Sequence, residues 1–504
     1  TTGQISNATG ALQRTAGSLA NYGQGFIGAG GSLSVSVGEY QGEAGSALKA
    51  ETALTLISTG TVQNSGLIST NEALTVTAAS LVNSGTMYGA TSTTVQADQA
   101  VTNIIGQIGS GSGLLSVTAA DLDNGSGKII AQSGAIGIVA GSIENRAGVI
   151  QAQGDVVLSA HTLDNRQAGS VQSLGGSLTL GDGADPMQSL LNQGGVLGGA
   201  QALSLNTDTY ENDASSQLIS TGALSMVMAG TLDNAGTLSG DKGFDLKVGG
   251  FRNEASGILA VKSGDATLRV TGSDMLVNAG ALETLTSGSL LSVESGGDFN
   301  NTGRIIGSGA VSVTAQGAVS NTGQMSELGG DLSLHAASFD NTANFVSAGS
   351  LSAAVVHDLT NTGALYGVGS VALSAGGILK NAAVAGAQAG TTGSIDAKSG
   401  NILIAAQTVE NSGGGAIVAA SGALGLSAES VTNSASVLQG QTSVVLKADH
   451  LTNTDQAKIL AQAGGINVQG LSASNAQSVI NTCVLQGTSG LGIQQVIGRA
   501  QCRD

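Results

Sequence analysis

The chain has 504 residues, of which 79 are glycine, yet 41% hydrophobic content and a mean hydropathy of +0.22 exclude a disordered glycine–serine linker. One proline (Pro186), no tryptophan and 2% aromatics leave a small aliphatic palette, suited to a thin core of many short strands. A formal charge of −17, with 17 scattered Lys and Arg, offers no basic stripe to nucleic acid, and no apolar run is long enough to cross a bilayer as a helix.

Thr1 opens inside the pattern that fills the chain, without a charged or apolar leader, as expected of a mature product or a piece of something longer. Asn21 comes first, and the 43 residues to Asn64 leave room for two units with a weakened signal. From Asn64 an asparagine recurs through Asn83, Asn103, Asn124, Asn145 and onward to Asn453; of 18 intervals, eight are 20 residues and most others 19 to 23. Asn301, Asn321, Asn341, Asn361 and Asn381 are spaced by 20 throughout. The longer intervals fall in 166–192, 254–277 and 382–410, where a repeated unit has been lengthened.

The apolar residues keep the same register. Leu74, Val76, Ala78 and Leu81 precede Asn83; Leu115, Val117, Ala119 and Leu122 precede Asn124; Val444, Leu446, Ala448 and Leu451 precede Asn453. Offsets −9, −7 and −5 alternate as a strand with one buried face requires, and offset −2 breaks the alternation, which predicts a corner and a second strand. Glycine often follows two residues after the Asn, as in Asn301-Thr302-Gly303, a tripeptide that reads as left-handed turn chemistry. A short strand comes next, such as 67–69 or 304–306. Twenty residues with two or three short strands make one coil of a parallel β-helix, all-β, each coil stacking on the next at about 4.8 Å. Two dozen coils would form a rod on the order of 110 Å long. The recurrent Asn reads as a corner marker whose amide can bond to the same Asn one coil up and down.

The repeated form L-x-N-x-G-x-I followed by G-x-L-x-V/L-x-A, over roughly residues 15–470, resembles the filamentous-haemagglutinin repeats of Gram-negative two-partner secretion exoproteins. The resemblance implies a right-handed β-helical shaft over residues 1–470. It also implies export through an outer-membrane β-barrel transporter, folding outside, and an extracellular location tethered to the outer surface. Members serve as adhesins, biofilm-matrix proteins or stalks of contact-dependent inhibition effectors. The implied partners are that transporter and a host-cell glycan, receptor or exopolysaccharide, with no cofactor, no nucleic acid and no membrane span of the chain itself. The amino-terminal secretion domain of the family is not in this sequence.

The pattern fades after Asn453, and both cysteines, Cys483 and Cys502, lie in the last 22 residues. A pair of buried thiols is one reading. In an exported chain a disulfide is the other, contributing roughly 3 kcal/mol in the chain-entropy model. The arrangement is similar to the cysteine hook of high-molecular-weight two-partner adhesins, which implies an anchor segment, 471–504, whose cross-linked loop is too wide to leave the secretion pore.

Other chemistry has thinner support. β-Helices host polysaccharide-cleaving enzymes, but Asp121, Asp123, Asp164, Asp233 and Asp340 read as turn residues, and no catalytic or metal-binding set is expected. His161, His335, His357 and His450 sit at different offsets and read as solvent-facing. The stretch 175–186 (GGSLTLGDGADP) faintly resembles calcium-binding turns without their nonapeptide period. Three Asn-x-Ser/Thr sequons, at Asn7, Asn124 and Asn300, are near background. Tyr88, Tyr210 and Tyr366 read as exposed aromatics without an assignable role. The expected function is the shaft and surface anchor of a secreted adhesin. The alternatives are the stalk of a toxin-delivery protein, or a β-helical carbohydrate-active enzyme or tailspike-like protein.

Overall fold

A computed structural model describes residues 3–181, 185–384, 393–471, 478–481, 483–488 and 491–493. Among them all regular secondary structure is β. The chain divides into two compact units, Thr1–Gly249 and Gly250–Asp504, and each is a parallel β-solenoid.

A coil of the first unit shows how the sequence closes on itself. Ala73–Ala78 forms a long-row strand, Ser80–Asn83 a corner-row strand and Thr86–Gly89 a return-row strand. Leu74, Val76, Ala78, Leu81, Asn83 and Met87 all point inward and are buried. Their neighbours Thr75, Thr77 and Tyr88 alternate outward, as strand geometry demands. Each strand pairs in parallel with its equivalent one coil on: Val76 with Val95, Leu81 with Val101, Met87 with Ile108. Like therefore stacks on like, and the core becomes columns of aliphatic side chains, each contributing about 1.5–3 kcal/mol on burial.

The predicted corner at offset −2 takes two forms. In most coils the strand breaks before it. In Leu12–Asn21, Leu33–Gly42 and Ala223–Asn234 of the first unit, and in Leu424–Ser434 and Val444–Thr454 of the second, one strand runs through the bend unbroken. The second unit also admits rings at the corner: Phe299 and Phe339 occupy the position of the usual Leu or Val, and Phe339 meets Phe345 of the return row at 5.1 Å and 60°.

Pairing does not stop at residue 470. Ser478–Asn481 pairs with the strand that holds Asn453, Val484–Gly487 with Lys458–Ala461, and Leu491–Ile493 with Ile466–Gln469.

Candidate functional site

The most distinctive chemistry is inside the corner. In the second unit the Nδ2 of each asparagine donates to the Oδ1 of the next, from Asn253 through Asn278, Asn301, Asn321, Asn341, Asn361, Asn381, Asn411, Asn433 and Asn453 to Asn481, at 2.7–2.9 Å. The second amide proton is spent on backbone carbonyls, as Asn301 does with Gln324 O at 3.2 Å. Asn253 to Asn453 are fully buried, and each Oδ1 within the run accepts from the coil before. A buried amide left unpaired costs about 1–3 kcal/mol, so the residue is tolerated only as a column. All donors point the same way along the stack, and such chains polarise one another.

The first unit carries the same column from Asn64 through Asn83, Asn103, Asn124, Asn145 and Asn165 to Asn192. There the pattern changes. The Tyr210 hydroxyl, 3% exposed, donates to Asn212 Oδ1 at 2.7 Å and has the Asn192 side chain as its other partner. Asn212 then donates to Asn234 at 2.6 Å. Burial drives the phenol's pKa far up, the Asn192 contact working against it. Tyr210 is thus a core residue and not an exposed aromatic; its ring fills the corner position, and its hydroxyl is an inserted link in the ladder.

Two kinds of turn follow the asparagines. After Asn83 and Asn321 the glycine of the Asn-x-Gly turn is not left-handed, although Gly23 (φ 52°), Gly194 (φ 71°) and Gly413 (φ 61°), in longer turns, are. Its requirement is proximity: a Cβ on Gly85 would lie 2.1 Å from Gly66 O, and one on Gly323 2.1 Å from Gly303 O. The left-handed residues belong instead to longer Asn-x-x-Gly turns, at Ile105 (φ 54°), Ser126 (φ 56°) and Ala147 (φ 53°). Ile105 is β-branched and 73% exposed, so its backbone strain is not offset by burial.

Carboxylates form a second set of ties between coils. Asp155 accepts from the Ser177 amide at 2.8 Å, Asp298 from Ala318 at 2.8 Å, Asp331 from Ser350 at 2.7 Å and Asp358 from Ile378 at 2.7 Å. Each satisfies a backbone N–H where the chain bends and the neighbouring carbonyl turns away. Asp164 is held differently, by Arg146 Nε at 2.6 Å and Arg166 Nη2 at 2.7 Å. Burial pulls its carboxyl up, but Arg166 and Arg146 together hold it down at about 2. Glu327, 1% exposed, takes the amides of Gly329 and Gly330 on one oxygen and Ser347 Oγ and the Ala348 amide, each at 3.2 Å, on the other. With four donors around it, this carboxylate is committed to the fold.

Among the described residues no group of three or more His, Cys, Asp or Glu could hold a metal ion. Asp121, Asp233 and Asp340 are exposed, and the four histidines are all on the outside. Asn124, a sequon asparagine, is buried in the ladder. Residues 182–184 of the Gly/Asp-rich stretch and 385–392 of the lengthened 382–410 coil lie outside the described residues. On the outer face of the second unit, Ala372, Leu403, Gly425 and Val445 stand in register, edged by His335 and Lys447, around a groove of about 560 Å³.

Asn481 was missed by sequence reasoning. It accepts from Asn453 at 2.7 Å after an interval of 28 residues, and Cys483 stands where the turn glycine would be, its carbonyl taking the Asn481 amide at 3.1 Å. The signal is present in Val479-Ile480-Asn481-Thr482-Cys483, disguised by the insertion and by Cys for Gly. Cys502, its proposed partner, lies outside the described residues.

The family model of the haemagglutinin repeat matches residues 1–105, 110–185, 202–282 and 263–323, together more than half of the chain. A deoxyribonuclease CdiA from Dickeya dadantii (strain 3937) is 28% identical over 465 residues, covering 85% of this chain and 13% of that protein. The chain therefore spans about an eighth of the length of this relative. No solved structure matches it.

Proposed function

Because the chain belongs to the haemagglutinin-repeat family, as a filamentous-haemagglutinin-type exoprotein of two-partner secretion, we propose that it is the shaft and surface anchor of a secreted bacterial adhesin. In this reading the outer-membrane β-barrel transporter is its partner in export. The solenoid is right-handed, residues 1–470 set reach and stiffness, and 471–504 tether the rod at the outer surface through a Cys483–Cys502 disulfide. The distal partner is a host glycan, receptor or exopolysaccharide. The observation that carries the proposal is the use each coil makes of its buried polar groups. The amides of Asn253 to Asn453, and one oxygen of Glu327, are spent on neighbouring coils, which is construction for length. The test is display on a Gram-negative host together with its transporter. Cys483→Ser should release the protein to the medium and abolish cell aggregation; unchanged surface retention would sink the anchor.

A second reading rests on the likeness to CdiA over 85% of the chain: the same shaft as the stalk of a contact-dependent inhibition effector. Co-culture separates the two. The stalk reading expects the full-length protein to arrest neighbouring cells on contact, and the adhesin reading expects aggregation without arrest.

A further inference from the structure

The ladder of the first unit has a second irregularity, at its beginning. By strand register the position between Asn21 and Asn64 belongs to Gly42, which has no side chain to offer. Two buried polar atoms face that vacancy. A Cβ on Gly42 would lie 2.8 Å from the Tyr40 hydroxyl and 3.3 Å from Asn64 Oδ1. Asn64 Oδ1 is buried without a hydrogen-bond partner, and the Tyr40 hydroxyl is likewise buried with none at close range. From Asn83 to Asn192 that oxygen receives a donor from the coil before, and at Asn212 it receives the Tyr210 hydroxyl. Tyr40 is 1% exposed and occupies the corner position, two residues before the ladder position, as Tyr210 does before Asn212.

We propose that the Tyr40 hydroxyl replaces the amide missing at Gly42, receiving the Asn21 amide and donating to Asn64 Oδ1, so that the one-way donor chain couples the first coils to the rest of the unit. Tyr210 supplies the precedent, since its hydroxyl already donates to the Oδ1 of the asparagine two residues on. The choice of glycine at position 42 follows from the same geometry. A phenol reaching this point excludes any Cβ there, so Tyr40 and Gly42 form a linked pair that substitutes for the usual Leu and Asn. Asn21 places its amide on Ala47 O at 3.1 Å, and its side chain is also a hydrogen-bond partner of the Tyr40 phenol. Burial pushes the Tyr40 phenol up to about 12, against the opposing effect of Asn21, which keeps it a donor at any physiological pH.

The test is hydrogen exchange on the full chain, comparing the strand amides of 12–42 with those of 73–145. Tyr40→Phe removes only the hydroxyl and should lower protection in 12–42 by about tenfold, equivalent to about 1.4 kcal/mol, leaving 73–145 unchanged. Tyr22→Phe, on the surface, should change neither. Tyr40→Leu leaves the vacancy empty and Gly42→Asn drives a Cβ into the phenol, so each alone should lose protection. The double variant Tyr40→Leu/Gly42→Asn rebuilds the pair found in other coils and should recover it. Protection in Tyr40→Phe equal to that of the parent chain would overturn the proposal. So would a double variant no better than Tyr40→Leu, which would point to a water in the notch.

Discussion

The two units run the same coil plan with different strictness. In the second, ten asparagine-to-asparagine bonds follow one another from Asn253 to Asn481 without substitution. In the first, the column passes a glycine at 42 and a tyrosine hydroxyl at 210. Their exteriors diverge further. Residues 1–249 hold seven Lys and Arg against eighteen Asp and Glu, and residues 250–504 hold ten against sixteen. The outward corner line of the first unit stacks Asp123, Glu144 and Asp164, relieved by Arg146 and Arg166, whereas that of the second mixes Arg252, Asp340, Lys380 and Glu410. On the long row, Thr75, Thr94 and Ser116 stand in register in the first unit where the second presents Ala372, Leu403 and Gly425. The interior is fixed by what can stack on itself, and the exterior is where one unit can be specialised relative to the other.

That contrast can be broken most forcefully at the ladder. Asn321→Leu should cost about 2–5 kcal/mol in denaturant unfolding of the full chain, because it strands the Asn301 amide and Asn341 Oδ1 together. Asn212→Leu, flanked by a hydroxyl able to turn elsewhere, should cost less; equal losses would erase the distinction between the units. Gly323→Ala tests close stacking and should cost about 1–3 kcal/mol through its collision with Gly303 O. Gly413→Ala, where the glycine is left-handed with open space around it, should fail for a different reason, with little change in neighbouring coils.

The charge contrast is read by acid. The Asp164 carboxyl sits near 2 in the fold, below its ordinary 3.8, so its contribution is complete above pH 3.8 and is lost as pH falls through 2. With solvent screening this amounts to about 1 kcal/mol, and Asp164→Asn should remove that part of the pH dependence of stability. The smallest effect has the opposite sign. Ile105→Gly should stabilise by about 0.5–1 kcal/mol, relieving a left-handed β-branched residue against the entropy glycine loses. A melting temperature that falls on this substitution would show that Ile105 is held by contacts and not strained.

The coil was legible because its period is written twice, in the Leu–Val–Ala–Leu set before Asn83 or Asn453 and in the asparagine itself. A buried amide has to be matched by another in every neighbouring layer, so it leaves a repeat in the sequence. Donor direction leaves none, and neither does a tyrosine whose hydroxyl replaces an amide; Tyr210 reads as a surface residue in the sequence for that reason. The glycines after Asn83 and Asn321 read as left-handed turn residues, whereas the cause is the backbone one coil below, 19 or 20 residues away. The Asp155 and Asp331 ties are hidden likewise, because each accepts from a strand about one coil distant.

The uniform donor direction of the ladder makes the coil an interchangeable part with an up and a down. Excising residues 302–321 would leave Asn301 facing Asn341 with donor and acceptor still matched, whereas a coil grafted in reverse would set amide against amide. Reach can therefore change by insertion or loss of whole coils, in steps of about 4.8 Å, without renegotiating any contact beyond the junction.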